Sequence, residues 1–337
     1  MPRDKPPLAM TMGDPAGIGP ELALSAWRGR SRDDAPFFLV AAPSHLFAVA
    51  KRVGFEAPII ETEPGLAAGV IDKGLPVVPL EHAVDGEPGR PHLRNAAATI
   101  ESISRAVWMV RQGEARAVVT NPIAKAVLYE SGFRFPGHTE YLGELADTYW
   151  AKDQGEAAFP VMMIWSDALA VVPVTVHIPL ADAPKALSIA LIVRTARVVD
   201  RDLRALFGFQ RPRLAFAGLN PHAGEGGAMG QEEITIIAPA IEMLRNEGLE
   251  AVGPLPADTM FHAKARTRYD VALTMYHDQG LIPAKTLAFD EGVNVTLGLP
   301  FVRTSPDHGT AFDIAGRGIA NPASLIAALK LADRLTR

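Results

Sequence analysis

The chain has 337 residues, a net charge of −5 at pH 7, nine histidines and no cysteine. The lack of cysteine excludes disulfide scaffolds, thiolate zinc fingers, iron–sulfur clusters and cysteine nucleophiles, so any metal must be held by imidazole, carboxylate or carbonyl groups. The acidic charge balance argues against a nucleic-acid-binding protein. Hydrophobic residues at 48% and charged residues at 21% are typical of a globular protein, and the length suggests about two domains.

Nothing in the sequence indicates export or insertion into a membrane. The first ten residues contain three prolines and lack the apolar segment of a secretory signal. The most apolar stretch, residues 169–180, includes two prolines and His177 and is too short to span a bilayer. We therefore expect a cytoplasmic protein.

Short apolar runs rich in β-branched or aromatic residues alternate with helical patterns along the chain. In chain order they predict a strand over 37–42, helices over 44–53 and 93–112, a strand over 115–119, a helix beginning at Asn121 and Pro122, strands over 161–165 and 169–176, one helix or a broken pair over 182–207, strands over 213–217, 271–275 and 293–297, and a closing helix over 322–335. Strands alternating with helices require crossover connections. The pattern therefore predicts an α/β protein with a mainly parallel sheet covered on both faces.

Three histidines lie at or shortly after the ends of predicted strands, whereas no G-x-G-x-x-G, P-loop, G-x-S-x-G or H-E-x-x-H motif occurs. They are His177, His222 and His277. Ligands of open α/β sheets bind outside the carboxyl ends of the strands, and three imidazoles there can share one divalent ion. Each histidine alone could instead bond only its own loop, but three equivalent placements favour a metal site.

A second group of polar residues points to an anionic ligand. Thr139, next to His138, is placed to cap a helix whose N–H groups would face an anion, although an ordinary cap with an incidental histidine is the alternative. Lys285 and Arg303 stand in apolar surroundings with Asn294 between them. Such cations suggest a bound carboxylate or phosphate, against the alternative of solvated strand ends.

Residues 307–322 are too rich in small residues for a core helix and too specifically polar for a plain linker. Their glycines allow a ligand to approach the backbone closely, and Asp313 is placed to accept hydrogen bonds from a pair of ribose hydroxyls. This segment has the chemistry of a loop that wraps a nucleotide.

Motifs spread over nearly the whole chain resemble the 4-hydroxythreonine-4-phosphate dehydrogenase family. They are residues 13–21, 120–125, 137–142, 220–227, 253–259, 276–280 and 292–309. Residues 308–316, HGTAFDIAG, are also similar to the NAD-binding loop of isocitrate and isopropylmalate dehydrogenases, in which the position of Phe312 is usually proline.

The resemblance implies an α/β/α fold of two subdomains, like isocitrate and isopropylmalate dehydrogenases, with the active site in the cleft between them. It places the first subdomain, with the cofactor loop, at 1–135 plus 281–337. The second, with the metal histidines and the interface of a homodimer, lies at 136–280.

The resemblance also implies roles for individual residues. The metal ligands, shared across the dimer interface, are His177, His222 and His277. The phosphorylated substrate is held by His138, Thr139, Lys285, Asn294 and Arg303, and NAD, with NADP as the alternative, by His308, Gly309, Thr310, Ala311 and Asp313. Asp278 and Asp258 are candidate acid–base groups or groups that orient the ligands. Imidazole favours zinc, with magnesium or cobalt as alternatives.

The implied activity is NAD-dependent oxidation of 4-phosphooxy-L-threonine to 2-amino-3-oxo-4-phosphooxybutanoate, which decarboxylates to 3-amino-2-oxopropyl phosphate in pyridoxine 5′-phosphate biosynthesis. Relatives that oxidise 4-phospho-D-threonate or a cyclic dihydrodiol dicarboxylate share the metal and cofactor motifs and stay open as alternatives. A non-catalytic two-lobed binding protein or a metallohydrolase would not need the loop at 307–321. The other histidines, expected to be structural, are His45, His82, His92 and His262.

Overall fold

The structure, a computed structural model, describes residues 5–56, 58–151 and 157–337, so the first four residues of the N-terminal segment considered above lie outside the described residues. The strands are β1 (Leu8–Thr11), β2 (Phe37–Ala41), β3 (Ile59–Glu61), β4 (Leu75–Pro79), β5 (Ala117–Val119), β6 (Val161–Trp165), β7 (Ala170–Pro173), β8 (Arg213–Ala217), β9 (Glu250–Leu255), β10 (Val271–Thr274), β11 (Val293–Leu297) and β12 (Val302–Pro306).

The helices alternate with these strands. They are α1 (Gly19–Gly29), α2 (Pro43–Arg52), α3 (Ala67–Val70), α4 (Ala96–Arg111), α5 (Lys125–Glu130), α6 (His138–Trp150), α7 (Ala183–Ala186), α8 (Ile189–Phe207), α9 (Ala238–Asn246), α10 (Ala257–Met260), α11 (Ala263–Arg266), α12 (His277–Leu287) and α13 (Ala323–Leu335). Within the described ranges, no helix combines the length and apolar character needed to cross a membrane.

The chain forms two compact units. The first unit is Met1–Pro160 with Leu299–Arg337, and the second unit is Val161–Gly298. These boundaries differ from the expected ones at 135/136 and 280/281. Helix α6 stays with the first unit because it contacts α4 and buries Leu142 and Leu145 in that core. The boundary expected at 280/281 would cut through α12, which packs against β7 and β10.

The first unit is built on a parallel sheet in the order β3-β4-β2-β1-β5-β12. Its central strands are wholly buried, with Leu8, Met10 and Val40 each 0% exposed, as expected for a parallel sheet covered on both faces. Helix α4 packs against β1 and β2, while α13 contacts α1, β5 and β12. The predicted α/β class with parallel strands is confirmed here. The carboxyl ends of β1, β5 and β12 lie at one edge.

The second unit has the strand order β11-β6-β7-β10-β8-β9. Strands β7, β10, β8 and β9 are parallel, whereas β6 runs antiparallel to both β7 and β11. The sheet is therefore mixed at one side. Because β7, β10 and β8 are neighbours and parallel, the loops that follow them emerge at the same edge.

For the helical pattern over 182–207 the structure selects one of the two predicted alternatives, and for the helix predicted at Asn121 it differs from the prediction. The pattern over 182–207 is a broken pair, α7 and α8, because Ser188 caps α8 by accepting a hydrogen bond from the Leu191 N–H at 3.2 Å. No helix begins at Asn121 and Pro122, and α5 starts at Lys125. The Asn121 side chain is instead used to donate to the Thr11 carbonyl at 2.9 Å.

Glu101 on α4 anchors the segment after β4. Its carboxylate accepts hydrogen bonds from the backbone N–H groups of Glu81 and His82, from the His82 ring and from Arg105, at 2.8–3.0 Å. Burial by itself would raise the pKa of Glu101, but these four bonds outweigh burial and lower the pKa to about 2.

Glu101→Gln is expected to lower the free energy of unfolding at pH 7 by about 2 kcal/mol. The pKa in the folded state lies below that in the unfolded state. The stabilisation is therefore complete above the unfolded value of about 4.5 and is lost as the pH falls from there toward about 2. Unfolding midpoints measured from pH 7 to pH 3 should converge for the two proteins. Glu114→Gln, at an exposed carboxylate of the same unit, is the control, and a pH-independent deficit in Glu101→Gln would contradict the explanation.

Candidate active site

The three histidines predicted as metal ligands follow the neighbouring parallel strands β7, β8 and β10 of the second unit. The rings of His177 and His277 lie with their centroids 5.6 Å apart. Among the residues that the structure describes, no three His, Cys, Asp or Glu side chains are close enough to hold one metal ion. One chain therefore brings two of the three imidazoles together and leaves His222 apart.

His222 lies in a loop with an unusual backbone, residues 218–227, here called the His222 loop. His222 and Ala223 both have φ of 52°, and Glu225 has φ of 43°. These left-handed conformations are uncommon outside glycine. His222 and His177 are both exposed in the single chain, so their imidazoles are accessible to a ligand from outside it.

The donor chemistry at His277 fits a metal ligand. Its Nδ1 shares a 2.7 Å hydrogen bond with Asp278 Oδ1, which leaves Nε2 available. Histidine ligands characteristically use their other ring nitrogen in this way, because a carboxylate there fixes the orientation and the tautomer of the ring. The side chain of Asp278 is otherwise 71% exposed. The pair of imidazoles thus suits a first-row ion such as zinc.

Asp258 and Lys285 lie on helices of the second unit. Asp258 is exposed in the first turn of α10, which packs against the His222 loop. Lys285 stands in the last turn of α12, not at a strand end. Together with His277 and Asp278 it lines a cavity of about 540 Å³. The helix was not predicted because Pro283 interrupts its pattern.

Asn294 lies on β11, opposite Ile164 of β6. Its Oδ1 is buried and has no hydrogen-bond partner among the described residues. Since buried polar atoms are normally satisfied, this oxygen is suited to accept a hydrogen bond from a ligand.

In the first unit, Arg303 is the second residue of β12 and is only 3% exposed. It donates from Nη2 and Nε to the Thr120 hydroxyl, at 2.6 and 3.1 Å. Burial lowers the pKa of Arg303 to about 9. An anion placed beside this guanidinium would favour its charged form, so the position suits a phosphate or carboxylate.

His138 is the first residue of α6 and carries a buried Nε2 with no hydrogen-bond partner among the described residues. Burial, reinforced by the positive charges of Arg303 and Lys125, holds the pKa of His138 well below its usual value, so the ring is neutral at pH 7. Thr139 is the second residue of α6 and not its cap. The capping position belongs to Gly137, which has no side chain to offer.

Three further residues of this region had no predicted role in ligand binding: Thr120, Asn121 and Lys125. Asn121 Oδ1 is buried without a hydrogen-bond partner in the described part of the chain. A β-carbon on Gly137 would lie 3.3 Å from Lys125 Nζ, which places the ammonium group at the start of α6. All three belong to the motif at 120–125. Its local pattern is typical of the end of a strand and the start of a helix, so it did not indicate ligand binding.

The predicted cofactor loop follows β12 and packs on the motif at 13–21. The Thr310 carbonyl accepts a 3.0 Å hydrogen bond from the Ile18 N–H, and a β-carbon on Gly17 would lie 3.0 Å from that oxygen. His308 Nδ1 is 3.0 Å from the Gly309 oxygen, while Nε2 is buried and has no partner within the described ranges. Asp313 is exposed. A free buried nitrogen and an exposed carboxylate on a glycine-containing loop fit a nucleotide.

The four remaining histidines each have a hydrogen-bond partner within the described part of the chain. The partners are the Pro15 carbonyl for His45, Glu101 for His82, the Arg94 N–H for His92 and the Ala265 N–H for His262.

Comparisons with known proteins agree over the whole chain. The family described as "Pyridoxal phosphate biosynthetic protein PdxA" matches residues 35–332. A "4-hydroxythreonine-4-phosphate dehydrogenase" of Methylorubrum extorquens is 60% identical, covering 99% of this chain and 96% of its own length. A crystal structure of 4-hydroxythreonine-4-phosphate dehydrogenase from Klebsiella pneumoniae is 35% identical with a TM-score of 0.85, over 99% of this chain and 100% of that one.

A terephthalate 1,2-cis-dihydrodiol dehydrogenase from Burkholderia xenovorans is more distant. It is 28% identical with a TM-score of 0.62, over 98% of each chain. Both the family match and the full-length relative exceed what chance or a shared fold alone produces. The chain therefore belongs to the family of the pyridoxal phosphate biosynthetic protein PdxA.

Proposed function

We propose that the chain oxidises 4-phosphooxy-L-threonine to 2-amino-3-oxo-4-phosphooxybutanoate with NAD, and that the product decarboxylates to 3-amino-2-oxopropyl phosphate. The observation that carries this proposal is 60% identity, over 99% of the chain, to a relative named for that dehydrogenase activity. Membership of a dehydrogenase family makes the chain an oxidoreductase and implies a nicotinamide cofactor and a divalent metal.

The polar residues of each unit support a substrate with anionic groups. In the first unit, we assign the binding of an anionic group to Arg303, His138 and Thr139. Burial disfavours the positive charge of Arg303, and a neighbouring anion would stabilise that charge. In the second unit, we assign Lys285 to a further anionic group. Asn294 accepts from the substrate's ammonium or hydroxyl group, which suits its buried Oδ1.

The metal would be held by His177, His222 and His277. When bound, a zinc, cobalt or magnesium ion supplies Lewis acidity at the alcohol that is oxidised. Because one chain brings only His177 and His277 together, we propose a homodimer in which two copies jointly supply the three imidazoles. Asp278 orients His277 through the bond to Nδ1.

The cofactor would be held by the loop that follows β12. NAD is the favoured cofactor because the exposed Asp313 carboxylate can accept from ribose hydroxyls and would repel an added phosphate. The other contacts come from His308, Gly309, Thr310 and Ala311. The unpartnered Nε2 of His308 is available to the cofactor.

Oxidation of a secondary alcohol releases a proton as well as a hydride, so a proton acceptor is needed. Asp278 and Asp258 are the candidates. Asp278 already bonds to His277, which favours an orienting role. Asp258 is exposed beside the His222 loop and is free of that bond, so we assign it the proton from the hydroxyl group.

The decisive experiment compares NADH formation from 4-phosphooxy-L-threonine and from 4-phospho-D-threonate, with and without a chelator. We expect kcat/KM to favour the L-threonine derivative by at least about 100-fold, since a site that bonds each polar group of one substrate leaves some groups unpaired with the other. Complete removal of metal should abolish turnover, and added zinc or cobalt should restore it. Preference for the D-threonate, or for a dihydrodiol as in the more distant relative, would replace the substrate assignment. Turnover that survives demetallation would refute the role of the metal.

A further inference from the structure

Buried polar side chains connect the ends of the three strands that carry the proposed metal histidines. The Thr175 hydroxyl donates to the Met275 carbonyl at 2.7 Å, which ties the segment before His177 to the segment before His277. Gln279 accepts from the Met275 N–H and donates to the Gly218 carbonyl, both at 2.7 Å. The segment of His277 is thereby tied to the His222 loop. Thr175 is 5% exposed and Gln279 is 9% exposed.

Glu233, which follows the His222 loop in sequence, completes this network and is 3% exposed. It begins a π-helical turn, Glu233–Ile237. Its Oε1 accepts from the N–H groups of Leu219 and Asn220, both at 2.7 Å, and its Oε2 accepts from Asn220 Nδ2 at 2.9 Å. A β-carbon on Gly224 would lie 2.6 Å from Oε2, so the loop closes tightly around the carboxylate.

The loop that Glu233 fills has a conformation that residues with side chains rarely adopt. Every residue from His222 to Gly227 has a positive φ. Left-handed backbone at His222, Ala223 and Glu225 persists only where the surroundings enforce it, and such strain concentrates at functional sites. The hydrogen bonds to Glu233 are made by Leu219 and Asn220, just before these residues, where they can supply that constraint.

A carboxylate is the group that this position requires. All three groups that face Glu233 are N–H donors, so an acceptor with two oxygens satisfies them. Glutamine has the same shape, but its amide nitrogen would set a donor against a donor. Replacement by glutamine therefore weakens the hold on the loop without creating a cavity, because one oxygen remains for the two backbone N–H groups and the contact with Asn220 Nδ2 is lost.

We propose that Glu233 is a positioning residue for the metal site. It holds the His222 loop in its left-handed form, and Gln279 keeps that loop aligned with His277. This inference rests on the proposed role of His222 as a ligand. Glu233 contacts neither metal nor substrate in this assignment, and it acts only through the backbone that presents His222.

The test titrates the full-length, metal-free protein with Zn²⁺ alone, in competition with a chromogenic chelator. Glu233→Gln is expected to weaken Zn²⁺ binding about 10- to 100-fold, as is typical when support behind a ligand is lost. Hydrogen exchange of the metal-free protein should rise in residues 218–227 and stay unchanged elsewhere. Glu247→Gln, at a surface carboxylate of the same unit paired with Arg197, should change neither measurement.

His222→Ala separates this inference from the proposed function. Weaker Zn²⁺ binding in His222→Ala with unchanged binding in Glu233→Gln would overturn the positioning role and leave the ligand assignment intact. Unchanged binding in His222→Ala would overturn both. Exchange that rises throughout Glu233→Gln, with a matching fall in melting temperature, would show a merely structural role. If Glu233→Gln does not fold, Glu233→Asp takes its place, because aspartate keeps the charge but its shorter side chain moves the carboxylate away from the loop. Unchanged Zn²⁺ binding in Glu233→Asp would equally refute the inference.

Discussion

Arg303→Met is expected to lower kcat/KM for the phosphorylated substrate about 10³-fold, the largest effect of any single substitution in the first unit. Methionine keeps most of the side-chain volume within the core but removes the guanidinium that we assign to an anionic group. Arg303→Lys restores the charge without the planar pair of donors, so we expect only partial recovery.

Because burial lowers the pKa of Arg303 to about 9, substrate affinity of the unmodified protein should also fall as the pH rises through that value.

Steady-state kinetics of NADH formation measure these effects. Arg32→Ala, at an exposed arginine of the same unit, serves as the control and should leave kcat/KM unchanged. Circular dichroism confirms that each variant is folded. An Arg303→Met protein within about threefold of the unmodified enzyme would show that this residue does not bind the substrate.

His222→Ala is expected to lose bound metal and to lower turnover by at least about 10³-fold, while the protein still folds. The imidazole is exposed on its loop in the single chain, so its removal costs little packing. Metal content per chain and NADH formation are the two measurements. His262→Asn is the matched control, since His262 caps α11 and asparagine can replace it there.

An undiminished metal content in His222→Ala would show that the ligand assignment is wrong. A loss of metal in the control as well would point to a general effect of the substitutions on the second unit. Lost turnover with retained metal would give His222 a different role in the reaction.

Much of the fold follows from local sequence patterns. Strands β6, β8 and β11 have the predicted bounds, because each is a short apolar run rich in branched or aromatic residues. Strand β12 was not predicted, since its sequence, VRTSP, carries polar residues throughout. These side chains are buried only because the strand lies beside β5 and under α13, which no local pattern reveals.

The residues of the candidate site likewise include some that the sequence indicates and others that only the folded chain reveals. The histidines after β7, β8 and β10 were recognisable because each lies shortly after an apolar run. Lys125 was not recognisable from the sequence, because it comes close to the start of α6 only when two separate segments of the chain meet in the fold. Glu233 was not predicted for a similar reason. The backbone N–H groups that donate to its carboxylate turn toward it only once the loop is folded.

By itself the sequence determined the α/β class, the family and the types of ligand that a metal could have, because apolar periodicity, motif spacing and the absence of cysteine are properties of the linear chain. Only the tertiary structure decided which groups meet. The rings of His177 and His277 approach to 5.6 Å because β7 and β10 are neighbours in the sheet. His222 follows the next strand, β8, and among the described residues it does not form a three-ligand group with them. Its loop has a left-handed backbone, and the N–H groups just before it bond a buried carboxylate.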